Sequence, residues 1–268
     1  MTTTDYQTRF GGIARVYGKD QSEWLTQAHF CVVGIGGVGS WVAEAFARSG
    51  IGHITLIDLD DICTTNINRQ IHALTGTVGD EKTHAMANRI KEINPACNVN
   101  IIDDFLTLEN ISEHIHSYDY VIDCIDQVPV KAALIAHCKR NKIAIFTTGG
   151  AGGQSDPSQI LYGDVAKTTQ DPLLAKVRYL LRKQYNFSAN PKRKFGVDCV
   201  YSTEQLSYPT SDGSVCQAKQ MADGSMNMDC ATGFGSLTMV TGTFGFFAAS
   251  KAIKKYLEKR QRVIKAEQ

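Results

Sequence analysis

The chain has 268 residues, 43% of them hydrophobic, and a formal net charge of +1. That length allows one large α/β domain or two small ones around a real core, and the near-neutral balance excludes a global drive toward nucleic acid or membrane, so any such surface must be local. Its eight cysteines, at 31, 63, 97, 124, 138, 199, 216 and 230, form no CxxC pair, which argues against a zinc ribbon; several lie in apolar runs where a reduced thiol is simply a small core residue.

The start, MTTTDYQTRF, is polar and unlike a signal peptide, so a cytoplasmic, reduced setting is expected. Residues 1–20 carry Arg9 and Arg15 on either side of Gly11–Gly12 and read as a surface arm. Ser22 to Ala28 reads as a short helix leading into the first strand. Phe30 to Val33 is a buried strand, Gly34, Gly36, Gly37 and Gly39 form a tight turn, and Trp41, Val42, Ala45 and Phe46 recur at helical spacing. Ile54 to Ile57 is a second strand, ending at Asp58. Strand, glycine turn, helix, strand and acid together predict a nucleotide-binding βαβ unit. Glycines let backbone N–H groups approach a phosphate, the helix N-terminus adds positive potential, and an acid at the second strand end can accept ribose hydroxyls. This pattern alone leaves NAD, FAD and ATP open.

Asp58, Asp60 and Asp61 cluster at the strand end, and Asn66, Asn68, Arg69 and Gln70 follow in a polar stretch beside the turn. Arg69 and Lys82 are phosphate candidates, as a fork and a point charge, against the plainer reading of solvated surface charges. A helix is predicted over 80–93, a third strand over Val99 to Ile102 and a short helix over Leu108 to His116. His114 and His116 read as exposed helix residues rather than ligands. Tyr120 to Cys124 is a fourth strand, with Asp123 and Asp126 at its carboxyl end, where ligands bind in open α/β sheets. Either acid there can be a Mg²⁺ ligand near a triphosphate or a cap of the next helix. A helix over 129–141, a fifth strand from Ile143 to Phe146 and the glycine-rich TTGGAGGQ (147–154) follow.

Residues 172–197 contain no acid but carry Lys176, Arg178, Arg182, Lys183, Lys192, Arg193 and Lys194, interleaved with Tyr179, Tyr185 and Phe187. That composition suits phosphate contacts and base stacking, or a solvated amphipathic helix with a charged loop. Residues 198–230 hold short strand-like pieces and turns. Residues 231–250 carry no charge, but ten apolar residues among twenty are too few for a membrane span, so a buried or interface helix is expected, its small residues suiting close helix packing, including against a second subunit. Lys251 to Arg262 reads as a charged helical tail. The expected fold is α/β: a doubly wound, mostly parallel Rossmann-like sheet with an irregular C-terminal extension.

Several motifs line up at fixed order over residues 30–150. GIGGVGS (34–40), DLDDICTTNINRQ (58–70), VGDEK (78–82) and DCIDQ (123–127) resemble the nucleotide loop, acid-to-RQ segment, GxxK and DxxDN motifs of the ATP-dependent E1-like superfamily, which includes the sulfur-carrier adenylyltransferases. Gln127 stands where that family usually has Asn. The resemblance implies that Asp58 holds the ribose, with Asp60 beside it; that Arg69 and Lys82 hold the triphosphate with Asn66 and Gln70; and that Asp126 binds Mg²⁺. It implies an N-terminal arginine reaching across a dimer, here Arg15 or Arg9. It also implies a single E1-like domain, ATP-binding over about 22–150 and substrate-facing and dimer-forming over about 151–268.

RFGGIARVYG, NINRQIHAL, TTGGAGGQ, the QDPL-to-basic segment, GVDCVYS, YPTSDGSVC and MDCATGFGS resemble the bacterial tRNA threonylcarbamoyladenosine dehydratases over nearly the whole chain. That likeness implies ATP-dependent cyclisation of N6-threonylcarbamoyladenosine at tRNA position 37, with ATP, Mg²⁺ and optionally a monovalent cation (K⁺ or Na⁺). It also implies a homodimer, tRNA contacts from the basic segment, and association with a cysteine desulfurase and its sulfur-acceptor protein. Two alternatives stand beside it: a sulfur-carrier adenylyltransferase, which would use Cys199, Cys216 or Cys230 as a thiol, and a non-catalytic partner of a desulfurase system. An NAD-dependent oxidoreductase is disfavoured, since Arg69, Lys82 and Asp126 have no use there.

Overall fold

The computed structural model describes residues 3–210, 212–217 and 234–267. Cys230, and the parts of the 198–230, MDCATGFGS and 231–250 segments that fall on 211 and 218–233, lie outside the described residues.

The chain opens with two helices, α1 (Thr3–Tyr17) and α2 (Lys19–Gln27). The sheet then forms from β1 (His29–Val33), β2 (His53–Ile57), β3 (Asn98–Ile102), β4 (Tyr120–Asp123), β5 (Ile145–Thr148), β6 (Ile160–Asp164) and β7 (Asp198–Ser202). The intervening helices are α3 (Gly39–Arg48), α4 (Lys82–Ile93), α5 (Ile111–His114), α6 (Val128–Arg140) and α7 (Pro172–Gln184). A two-stranded ladder, β8 (Tyr208–Pro209) with β9 (Val215–Cys216), precedes α8 (Thr238–Glu267).

The seven strands run in the order β3-β2-β1-β4-β5-β7-β6. All neighbours are parallel except β6, which pairs antiparallel with β7. The order reverses between β1 and β4, so the loops leaving their carboxyl ends open a crevice there. Residues on β1 alternate between two cores. Phe30 and Val32 face the layer containing α3, α4 and α8, whereas Cys31 and Val33 face the layer of α5, α6 and α7. Burial on both faces explains why this strand is continuously apolar instead of alternating with polar residues.

Three sequence expectations change. Residues 3–17 form a helix rather than an arm, because Phe10 is buried and the Tyr6 hydroxyl donates to the Gly50 carbonyl at 2.9 Å. The fifth strand starts two residues later, at Ile145, and runs through Thr147 and Thr148 of the glycine-rich segment. The expected interface helix and charged tail are one 30-residue helix, α8. Its glycines serve packing: a Cβ on Gly245 would lie 2.7 Å from the Trp41 Cβ of α3. No helix among the described residues is long and apolar enough to cross a membrane.

Candidate nucleotide-binding site

The turn between β1 and α3 is built around two glycines. Gly34 has φ +85°, and a Cβ there would sit 3.2 Å from the Cys124 carbonyl. A Cβ on Gly39 would lie 1.8 Å from the Gly34 carbonyl oxygen. The turn therefore closes on itself and abuts the end of β4, bringing the two sides of the crevice together.

The peptide of Ile35 is held from both sides. Its N–H donates to Asp58 Oδ2 at 2.6 Å, and its carbonyl lies 2.9 Å from His72 Nε2. A carbonyl only accepts, so His72 carries its proton on Nε2 and leaves Nδ1 as an acceptor. That Nδ1 is buried without a partner among the described residues, as is Gln70 Oε1. Burial pushes the His72 pKa down, and the nearby Lys82 ammonium adds to the effect. His72 was not singled out in the sequence, where one histidine in NINRQIHAL carries no signal of its own.

Asp58 also accepts from the Asp60 N–H at 3.0 Å. Asp60 in turn ion-pairs with Lys82, whose Nζ lies 2.6 Å from Asp60 Oδ2 at the start of α4. Lys82 is 6% exposed, and beyond the pair with Asp60 its ammonium keeps two further N–H donors. Arg69 lies over the turn: a Cβ on Gly37 would be 3.5 Å from its Cγ and Cδ. Its backbone carbonyl accepts from Trp41 Nε1 at 2.9 Å, and its guanidinium donates to the Thr65 carbonyl and Asn68 Oδ1. Asn66 spends its side-chain oxygen on the Cys63 N–H at 3.0 Å, shaping the loop that carries Arg69.

Two helix N-termini meet here. α3 begins at Gly39, and α8 brings Thr241 to within 3.3 Å of a Cβ on Gly37. Both add positive potential to the turn. The contribution of α8 was not legible in the sequence, because it depends on a contact between residues 204 positions apart.

The two acids after β4 separate by environment. Asp123 is fully buried and spends both oxygens internally, on Lys131 Nζ at 2.9 Å and the Thr147 hydroxyl at 2.7 Å. Asp126 is exposed and makes no hydrogen bond or ion pair among the described residues. Mg²⁺ needs oxygen donors and accepts one carboxylate alongside phosphate oxygens, so Asp126 fits as its protein ligand and Asp123 does not. The compact group of metal-type side chains among the described residues is a different one, the exposed Glu81, His84 and Asp103.

Arg9 and Arg15 lie on α1, whose first half is anchored away from this site. Arg9 donates to the Ile93 carbonyl at the end of α4, and Tyr6 reaches Gly50 beyond the end of α3. α3 starts at the glycine turn, and its ten residues span about 15 Å, so the Tyr6 and Arg9 part of α1 sits at the far end of α3 from the turn; Arg15, further along α1, is exposed. The second glycine-rich segment, 147–154, receives protein rather than ligand. Gly150 N–H donates to Asp171 Oδ2 at 3.0 Å, and Gly153 N–H donates to the Gly235 carbonyl at 2.8 Å.

The basic segment divides. Arg178 is turned inward, donating to Thr168 Oγ1 at 2.6 Å and to the Val165 and Thr168 carbonyls, so it is a structural tie and not an exposed tRNA contact. Arg182 is half-buried over the Phe195 ring at 5.5 Å. Lys176, Lys183, Lys192, Arg193 and Lys194 are exposed. The cysteines at 31, 97, 124, 138 and 199 have thiols pushed up by burial, which argues against a nucleophilic role for them.

Comparison with known proteins gives a ThiF family match over residues 9–267. The chain is 60% identical, over 96% of both chains, to the tRNA threonylcarbamoyladenosine dehydratase of Haemophilus influenzae. Its fold is similar to crystal structures of the Escherichia coli tRNA N6-threonylcarbamoyladenosine dehydratase in complex with AMP (TM-score 0.87, 53% identity) and with ATP (TM-score 0.87, 52% identity). Each covers 98% of this chain and 99% of the other.

Proposed function

The chain belongs to the ThiF family, within its tRNA threonylcarbamoyladenosine dehydratases, and we infer that it carries out the ATP-dependent dehydration of N6-threonylcarbamoyladenosine at position 37 of tRNA. The observation that carries this reading is the placement of Arg69 on one side of the Gly34–Gly39 turn and the unpaired Asp126 on the other. A cation and a free carboxylate flanking a phosphate turn suit triphosphate chemistry, whereas a hydride-transfer site would need neither.

Asp58 lies where it can accept a ribose hydroxyl while it holds Ile35 N–H. The turn, Arg69 and Lys82 receive the phosphates, with Asn66 and Gln70 shaping the wall. Asp126 would hold a Mg²⁺, which when bound offsets phosphate charge. The threonine carboxylate attacks the α-phosphate, the bond to the β-phosphate breaks, and pyrophosphate leaves. The carbamoyl group then closes on the acyl-adenylate carbonyl and expels AMP, which carries away one carboxylate oxygen. Closure within one molecule has a high effective molarity, so no enzyme nucleophile is required. Arg69 and Lys82 stabilise the charge that develops on the phosphates.

The basic residues after 172, apart from the inward-turned Arg178, are proposed to grip the tRNA backbone. A homodimer is supported by Met239 and Phe246, which are 53% and 50% exposed and seven residues apart on α8. In a dimer the partner's α1 would supply an arginine, Arg15 or Arg9, to the phosphates. The division into an ATP-binding part, about 22–150, and a tRNA-facing part, about 151–268, a cytoplasmic setting, a cysteine desulfurase partner and an optional monovalent cation complete the reading. Formation of AMP that requires threonylcarbamoylated tRNA tests it; formation that requires a carrier protein instead would favour the adenylyltransferase.

A further inference from the structure

A second concave site lies between the C-terminal ends of α6 and α7. It is a pocket of about 340 Å³ lined by Lys139, Arg140, Tyr185, Phe187, Lys194 and Phe195, among others. α6 leaves the carboxyl edge of the sheet just after Asp126, and its 13 residues span about 20 Å. The pocket therefore opens at the far end of the layer from the nucleotide turn.

Its apolar part is built before any ligand arrives. Phe195 is 7% exposed and forms the floor, and Phe187 meets it edge-on with ring centroids 5.0 Å apart. Phe187 is fixed by its N–H, which donates to the Leu181 carbonyl at 3.1 Å. The turn that permits this places Asn186 at φ 59°, a left-handed conformation that Asn tolerates. Arg182 covers the Phe195 ring.

The polar part is cationic. Lys139, Arg140 and Lys194 are exposed at its rim, and no acid lines it. Two helix C-termini contribute about −0.5 charge each, so the three full positive charges leave a net surplus of about two. Lys139 uses one donor on the Gly196 carbonyl at 3.2 Å and keeps two. Aromatic faces beside several cations, with no acid, match the chemistry of an unstacked nucleotide: a base against Phe187 and Tyr185, and its phosphate among the cations.

We propose that this pocket binds an unstacked nucleotide of the tRNA substrate, one other than the adenosine being modified. The proposal rests on the dehydratase reading and adds a specific anchor point to it. It is tested with the full-length protein and threonylcarbamoylated tRNA, measuring binding over a salt series beside ATP affinity and turnover. Phe187→Ala should raise the tRNA Kd about tenfold with little change in salt slope. Lys139→Gln with Arg140→Gln, both at exposed positions, should lower the slope by between about one and two. ATP affinity should stay unchanged in both variants. Wild-type tRNA affinity in both, with normal turnover, overturns the pocket and leaves the dehydratase reading standing. A slope change without a response to Phe187→Ala means backbone contact only and also overturns it. A wild-type protein that neither binds nor converts the tRNA overturns both readings.

Discussion

Asp58 reaches back across the crevice to hold the backbone N–H of Ile35 at 2.6 Å, joining the end of β2 to the glycine turn after β1. Replacing it with Ala strands a buried donor, which costs about 1–3 kcal/mol. Asp58→Ala should therefore lower stability to urea by that amount and raise the KM for ATP. Unchanged stability with a raised KM would leave the carboxylate a ligand contact only.

His72 holds the other side of the same peptide, and burial lowers its pKa below the ordinary value near 6.5. A depressed pKa means that the unfolded chain binds more protons as acid is added. The stabilising contribution is present above about pH 6.5 and is lost as pH falls through the folded value. The thermal midpoint should drop between pH 7 and pH 5.5, and His72→Gln should flatten that drop. An equally steep decline in the variant would assign it to other groups, His29 among them.

The glycines of the turn should separate into two classes. A Cβ on Gly39 collides with the Gly34 carbonyl oxygen, whereas on Gly36 the nearest neighbour is Gln70 Nε2 at 3.9 Å. Gly39→Ala should lower the thermal midpoint and abolish ATP binding. Gly36→Ala should leave the midpoint unchanged and weaken ATP binding alone, since only an approaching phosphate would meet its methyl group. Isothermal titration with ATP, beside thermal melts, distinguishes them.

The acids after β4 make opposite predictions. Removing Lys131 leaves the Asp123 carboxylate buried and unpaired, so Lys131→Met should cost about 3–5 kcal/mol in urea unfolding. Asp126→Ala should leave stability unchanged and reduce turnover. The reverse pattern would exchange their roles.

These two acids show what sequence can and cannot carry. Both stand at one strand end, and only the position of Lys131 eight residues after Asp123, folded back by α6, tells them apart. The glycine turn and Asp58 were legible because their spacing is local to one βαβ unit, and Arg69 because it stands in the polar loop directly after that unit. The α1 helix was not, since its hold comes from distant partners at Gly50 and Ile93. Nor was the unbroken α8, where Gly242 and Gly245 weaken the helical signal and packing on Trp41 restores it. Arg178 reads like its neighbours in sequence, but the Thr168 turn draws it inward.

The most direct measurement is a mass spectrum of nucleosides from threonylcarbamoylated tRNA incubated with the protein and Mg·ATP, beside an Asp126→Ala control. Loss of one water from the modified adenosine, dependent on ATP and strongly reduced in the control, is the expected result. An unchanged nucleoside mass, from a folded protein that binds both ATP and the tRNA, would contradict the assignment.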